Sequence, residues 1–147
     1  MNAIQFLLEE HREFRRIFRQ FEEAGERAHK TKQKLATKLL EELRAHSQIE
    51  EQIFYPAARK KADKELEGVI LEGIEEHRIA DFMMERLENA TPADDTFDAR
   101  FKALSESVKH HLKEEEGKLF PKARKLLRDD LERLGSKMEA LDKQLEG

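Results

Sequence analysis

Four of the six histidines are spread along this chain, one on the apolar seam of each long stretch: His11, His46, His77 and His111. Two of them are followed four residues later by a glutamate, Glu50 after His46 and Glu115 after His111. Residues four apart on a helix share a face, so each pair offers an imidazole and a carboxylate to one point. All six fall where a hydrophobic residue is expected. Stepping by three and four through the first stretch passes Ile4, Leu7, His11, Phe14, Phe18 and Phe21. The second stretch gives Leu39, Leu43, His46, Glu50, Ile53 and Ala57; the third gives Leu66, Ile70, Gly73, His77, Ala80, Met84 and Leu87. The fourth gives Phe97, Phe101, Leu104, Val108, His111 and Glu115. Each stretch therefore has one apolar seam, and each seam is interrupted by a histidine. A polar group in an apolar interior costs a few kcal/mol unless it finds partners, and an unpaired charge costs more. A bound cation satisfies imidazole and carboxylate together.

The chain partly repeats itself. Glu9-Glu10-His11-Arg12 returns as Glu75-Glu76-His77-Arg78, an offset of 66 residues. His46, Glu50-Glu51, Phe54 and Pro56 return as His111, Glu115-Glu116, Leu119 and Pro121, an offset of 65. Two similar hairpins facing one another would bring four histidines and two glutamates together with pseudo-two-fold symmetry. A site with two equivalent halves suits two metal ions. Imidazole and carboxylate in octahedral surroundings suit iron or manganese, whereas closed structural zinc sites use four ligands and commonly thiolate.

Any one of these histidines alone would read as a core side chain bonded to a neighbour; four at matched positions favour ligation. His110 competes with His111, and seam and repeat both select His111. His29 is expected at a helix end on the surface. Glu51 and Glu116 lie off the seam, as solvated residues or as carboxylates that orient ligating imidazoles. Asp81 is left open between a ligand on the third helix and a polar rim residue. Tyr55, the one tyrosine, precedes Pro56, which is expected to distort the helix. It is read as a boundary aromatic with a wet hydroxyl, with ligation or hydrogen bonding to bound oxygen species as the alternative. Gly73 costs about 1 kcal/mol against alanine in mid-helix; it leaves room for a small ligand or lets two helices approach.

The elements that must position these groups are helices. Breakers divide the chain into stretches from about Asn2 to Ala28, Thr31 to Lys60, and Asp63 to just before Thr91-Pro92. A fourth runs from Asp94 or Asp95 to about Leu127, and a shorter fifth from about Asp129 to Leu145. Asn2 is suited to cap the first. Short connections make consecutive helices antiparallel neighbours. The expected fold is all-α: an up-down-up-down four-helix bundle over residues 1–127, followed by an amphipathic C-terminal helix over 128–147. That helix repeats at Leu131, Leu134, Met138, Leu141 and Leu145, and needs an apolar partner on the bundle or on a second subunit.

Composition sets the outer limits. The 147 residues carry 28 bases and 32 acids, a net charge of −4, which does not fit a strongly basic nucleic-acid binder. Six Gly and three Pro leave few turns for an all-β fold. Cysteine is absent, which excludes disulfides, thiolate nucleophiles and cysteine-held iron–sulfur clusters. No apolar run approaches the roughly 20 residues a membrane span needs, and the N-terminus turns acidic before a signal-peptide core develops. The expectation is a cytoplasmic protein with no nucleic-acid or membrane partner, as a monomer or as a homodimer through the C-terminal helix.

Through His11, His46-Ser47-Gln48-Ile49-Glu50, His77 and His111-Leu112-Lys113-Glu114-Glu115, the chain resembles the hemerythrin-like family, also called the HHE cation-binding domain. The resemblance covers roughly residues 1–127. It implies an antiparallel four-helix bundle around a non-haem di-iron centre, oxo- or hydroxo-bridged, with His11, His46, Glu50, His77, His111 and Glu115 as ligands. Two departures bear on function. Oxygen-carrying hemerythrins have five histidines, with His-x-x-x-His on the third helix, and here Asp81 stands four after His77. They also end on His-x-x-x-x-Asp, where this chain has His111 and Glu115 at spacing four. The pattern is closer to bacterial members with four His and two Glu, including proteins that repair iron centres under nitrosative stress, and to iron-sensing hemerythrin domains.

The resemblance implies a di-iron protein handling oxygen, peroxide or nitric oxide, as in oxidative stress. An iron-sensing, iron-storing or iron-donating module without turnover is the alternative, and a metal-free helical interaction bundle the third reading. Whether catalysis accompanies binding is left open. Ferritin-like oxidases use Glu-x-x-His pairs; here Leu8, Leu43, Ile74 and Val108 stand three before the seam histidines, so that motif is absent.

Overall fold

A computed structural model describes residues 1–146 of the chain. Among these residues there are only helices: α1 (Ala3–Glu23), α2 (His29–Ile49), α3 (Tyr55–Lys61), α4 (Lys64–Glu88), α5 (Phe97–Glu114), α6 (Phe120–Leu126) and α7 (Leu131–Glu146). Two π turns, Glu50–Phe54 and Glu115–Leu119, join α2 to α3 and α5 to α6 without a break. The described chain is thus five helical rods.

The helix starts follow local chemistry. Asn2 Oδ1 accepts from the Gln5 backbone N–H (2.9 Å), and Gln5 Oε1 accepts from the Asn2 backbone N–H (2.9 Å), a reciprocal cap on α1. Asp63 caps α4 by accepting from the Leu66 N–H at 2.8 Å. The fourth rod starts at Phe97, a little later than expected, because the Asp94 carboxylate instead accepts from the Thr91 N–H within the preceding turn.

The π turns have a shared cause. Pro56 and Pro121 lack an amide hydrogen and crowd the carbonyl four residues back, so neither can sit in an unbroken α-helical ladder. Immediately before each proline the ladder shifts: the Tyr55 N–H donates to the Glu50 carbonyl and the Phe120 N–H to the Glu115 carbonyl, five residues back. The extra residue advances the seam. Ile53 and Ala57, expected inside, are only partly buried, and Phe54, Tyr55 and Ala58 are buried in their place.

Apolar side chains gather in two clusters with a polar layer between them. One holds Ile4 and Leu7 of α1, Ile49, Phe54 and Tyr55, Ile70 of α4, and Leu119 and Phe120. The other holds Phe14 and Phe18 of α1, Leu39 and Leu43 of α2, Met84 of α4, and Phe101, Leu104 and Val108 of α5. Along α1 and α4 the chain passes from the first cluster to the second; along the α2–α3 and α5–α6 rods it passes back. Each of the four histidines lies at the crossing.

Helix α7 folds back onto α1. Leu131, Leu134 and Met138 are buried in the first cluster. Leu141 is partly buried beside them, and Leu145 at the end of the same face is 36% exposed. No described helix is long and apolar enough to cross a membrane.

Candidate metal centre

The polar layer contains all six residues singled out from the sequence. His11, His46, Glu50, His77, His111 and Glu115 are each at most 7% exposed. α1 contributes His11, α2 His46, α4 His77 and α5 His111, while each glutamate is the first residue of a π turn. Their donor atoms form two overlapping groups, His11–His46–Glu50–Glu115 and Glu50–His77–His111, within each of which the atoms lie no more than 4.8 Å apart. Glu50 belongs to both.

Every imidazole is held the same way. His11 Nδ1 donates to Glu116 (2.8 Å), His46 Nδ1 to Glu10 (2.7 Å), His77 Nδ1 to Glu51 (2.7 Å) and His111 Nδ1 to Glu76 (2.7 Å). A carboxylate can only accept, so each ring must carry a proton on Nδ1, and a neutral ring then keeps its lone pair on Nε2. All four Nε2 atoms face the shared centre: His11 toward Glu115 (3.1 Å), His77 toward Glu50 (3.0 Å), His46 toward Glu50 (3.4 Å) and His111 toward Glu115 (3.4 Å). The outer carboxylates follow a rule. Glu10 and Glu76 hold the histidine of the next helix in their own hairpin, while Glu51 and Glu116 reach across to the other hairpin. The crossing pair is clamped in turn, Glu116 by a two-pronged contact from Arg15 (2.8 and 3.1 Å) and Glu51 by Arg78.

Glu51 and Glu116, which the sequence alone allows as solvated or ring-orienting, orient His77 and His11; Glu10 and Glu76, not singled out by the seam, do the same for His46 and His111. A signal for Glu10 and Glu76 was present: both immediately precede a seam histidine in the repeated Glu-Glu-His-Arg. Asp81 is not brought to the cluster. It is half exposed and pairs with Arg78 at 3.2 Å. On the other side of His77, Gly73 faces the centre one turn earlier, where a Cβ would stand 3.5 Å from the His111 ring. His110 is 64% exposed and His29 is on the surface.

Tyr55 was expected at a wet boundary and is instead 2% exposed at the heart of the layer. Its hydroxyl donates to Glu115 Oε2 (2.6 Å), lies 3.2 Å from Glu50 Oε1 and 3.4 Å from His111 Nε2. Gly73 makes the room. The extra residue of the π turn is what swings Tyr55 inward. In the other half of the repeat the corresponding residue is Phe120, stacked on His11 at 5.5 Å as Tyr55 is stacked on His77 at 5.6 Å. At this position the two halves differ by one hydroxyl.

The electrostatics are those of a site built for positive charge. Burial pushes the His46 imidazole down, but the nearby charge of Glu50 and the hydrogen bond with Glu10 outweigh it and raise its pKa to about 10. His111 is likewise raised: burial opposes, and Glu115, Glu50 and Glu76 prevail. Glu50 is driven well below the usual carboxylate range by the surrounding imidazoles in spite of full burial. Burial, then Glu115 and Glu50, push the Tyr55 phenol well above its ordinary value. Two buried atoms at the centre, His46 Nε2 and Glu50 Oε2, have no hydrogen-bond partner. Orphaned polar atoms of this kind are costly, and a cation between them removes the cost. The donor set of nitrogen and carboxylate oxygen, without sulfur, fits a metal ion.

The profile of the Hemerythrin HHE cation binding domain matches residues 2–123. The fold is similar to the crystal structure of a hemerythrin HHE cation binding domain-containing protein from Mycobacterium kansasii, with a TM-score of 0.84 and 25% sequence identity. That similarity covers 99% of this chain and 87% of the other. No curated protein sequence matches the chain.

Proposed function

The chain belongs to the hemerythrin HHE cation-binding domain family, and from that premise we propose that it holds two iron ions and presents them to a small oxidant or diatomic molecule such as oxygen, peroxide or nitric oxide. His11, His46, Glu50 and Glu115 would hold one ion. His77, His111 and the shared Glu50 would hold the other, with the protonated Tyr55 hydroxyl beside it. The traffic of the four long rods between the two apolar clusters supports an up-down-up-down bundle over residues 1–127, with residues 128–147 as an addition to it. Iron held by imidazole and carboxylate supplies one-electron redox chemistry and an exchangeable position for a small ligand.

The observation that carries the metal reading is the pair of orphaned atoms at the centre, His46 Nε2 and Glu50 Oε2. The chain's own groups do the rest. Four carboxylates fix the imidazole rings by their outer nitrogens, so that little reorganisation accompanies ligation. Tyr55 holds a proton against Glu115 in a site otherwise made of acceptors. A cavity of about 20 Å³ lies against His46, His77 and His111, lined mainly by Leu43, Met84, Val108 and Leu112 with Ser47 and Ser107 beside them. It has room for about one water-sized molecule, and its apolar walls favour an uncharged guest.

One observation favours the second reading, an iron store or donor. A groove of about 950 Å³ between α1, α2 and α7 is lined by Glu9, Glu10, Glu13, Glu41, Glu42 and Asp142, and Glu10 is the residue that holds His46. Elemental analysis of protein from iron-supplemented cells, with absorption spectra under oxygen, peroxide and nitric oxide, tests both. About two irons per chain and a ligand-dependent spectrum are expected, with the metal content of Glu50→Ala falling toward zero because both groups lose a member. Iron without any spectral response to the three ligands would favour storage or donation. No transition metal at all would end both readings.

A further inference from the structure

The side of α4 turned away from the metal centre carries the most exposed apolar pair among the described residues. Ile79 is 52% and Phe82 62% exposed, and Leu71, 39% exposed, lies further back on the same helix. The buried contacts of α4 are made by its other side, through Leu66, Ile70, Gly73, His77, Met84 and Leu87. Glu75 lies one turn before Ile79 and Arg86 one turn after Phe82, both exposed. Positions 75, 79, 82 and 86 step by four, three and four, the spacing of a seam that one helix offers to another. The Arg86 guanidinium already lies over the Phe82 ring, 5.9 Å from its centre.

We propose that this seam docks a second copy of the chain, α4 against α4, antiparallel about a two-fold axis. The order of residues selects that partner. Ile79 and Phe82 are equidistant from the midpoint between Ala80 and Asp81, and so are Glu75 and Arg86. A single axis through that midpoint sets Ile79 of each copy on Phe82 of the other, and Glu75 of each on Arg86 of the other. A parallel pairing would set glutamate on glutamate and arginine on arginine. Self-complementarity about one axis is what an isologous interface requires; an unrelated apolar partner would require no such symmetry. One helix from each copy buries less than the roughly 1,200 Å² of a standard interface, so the dimer is weak and reversible. Its ion pairs set orientation more than affinity. The metal-binding side of α4 faces the other way, so the contact is independent of what the centre holds.

Sedimentation velocity of the full chain, from low micromolar to near-millimolar concentration, tests this. The wild-type sedimentation coefficient is expected to rise with concentration. Phe82→Ser, Glu75→Arg and Arg86→Glu are each expected to weaken association by about tenfold or more. All three positions are exposed, and unchanged helical circular dichroism verifies the fold. Mixing Glu75→Arg with Arg86→Glu chains is expected to restore a dimer, since every pair across the axis is then complementary. The double variant is expected to self-associate again. A chain that stays monomeric throughout would overturn the proposal. So would a dimer that these changes leave intact, or single variants that stay apart when mixed.

Discussion

Gly73 and Tyr55 are a matched pair: a Cβ at position 73 would stand 3.0 Å from the phenolic oxygen. That oxygen has little freedom to retreat, because it is held by Glu115 at 2.6 Å with Glu50 at 3.2 Å. In the other half of the repeat the counterparts are Leu7 and Phe120, where no hydroxyl needs space. The glycine that costs helix stability is thus tied to a hydroxyl that only one half of the metal centre carries.

The pairing is expected to show in a double-mutant cycle on the metal-free chain. Gly73→Ala gains about 1 kcal/mol of helix propensity but crowds the phenol, and overpacking a fixed interior costs about 1–3 kcal/mol. The single variant is therefore expected to be neutral to about 2 kcal/mol less stable. In a Tyr55→Phe background the oxygen is gone, and the same change is expected to stabilise by up to about 1 kcal/mol. Urea unfolding of the four chains measures the coupling. Additive effects would show that Gly73 serves some other purpose.

The helices and the inward ligand face were legible because a 3.6-residue period and an internal repeat both act on local sequence. What was not legible depends on angles that period alone does not set. Positions four before and four after His77 each deviate by roughly 40° from its direction, to opposite sides. The packing of α4, not its sequence, decides that Gly73 faces the centre and Asp81 the solvent. The π turns had the same effect on the second rod, burying Phe54, Tyr55 and Ala58 where Ile53 and Ala57 were expected. Pro56 signalled a distortion but not its direction. The bonding of Glu10, Glu51, Glu76 and Glu116 to histidines on other helices is a relation between helices, and no pattern within one helix reports it.

Glu10 acts only through His46, and Glu10→Gln separates orientation from charge. The amide retains an oxygen that can accept from His46 Nδ1, now 2.7 Å from a carboxylate, but loses the charge that makes the ring a stronger ligand. Metal affinity is expected to fall by about 10–100-fold while the number of ions bound at saturation is unchanged. Competition with a chromogenic chelator reads the first quantity, and elemental analysis at excess metal the second. A loss of stoichiometry at saturation would mean that Glu10 is itself a ligand.

Protons and metal compete for the same atoms, so the stability of the metal-free chain and the stabilisation gained on loading should change with pH in opposite senses. In the metal-free chain His46 is raised to about 10, above its unfolded value of about 6.5. Its contribution is fully present below about pH 6.5 and is lost as pH rises through about 10. His111 is raised too and acts in the same direction. Glu50 is depressed, so its contribution is present above about pH 4.5 and lost as pH falls through its lower folded value. The metal-free Tm is thus expected to fall from about pH 6.5 to 10. Metal must displace the imidazole protons, so the stabilisation on loading is expected to grow over the same range. Thermal scans of both forms check this; a metal-free Tm that rises across the window would contradict the charge balance described.

Gly135 provides a test of how α7 is held. A Cβ there would strike the Met1 carbonyl oxygen and come within 2.7 Å of the Asn2 carbonyl carbon and 2.9 Å of the Ala3 nitrogen. These are backbone atoms, and they belong to the reciprocally capped start of α1, so they cannot swing aside as a side-chain tip would. Gly135→Ala must lift α7 and loosen Leu134 and Met138 from the core, and is expected to destabilise by about 1–3 kcal/mol. Gly68 on α4 is the control, since nothing lies within 4 Å of a Cβ placed there; Gly68→Ala is expected to stabilise by up to about 1 kcal/mol through helix propensity alone. Chemical unfolding of both variants decides the matter. The same substitution in two helices should have opposite signs, and equal signs would mean that α7 does not rest on the start of α1.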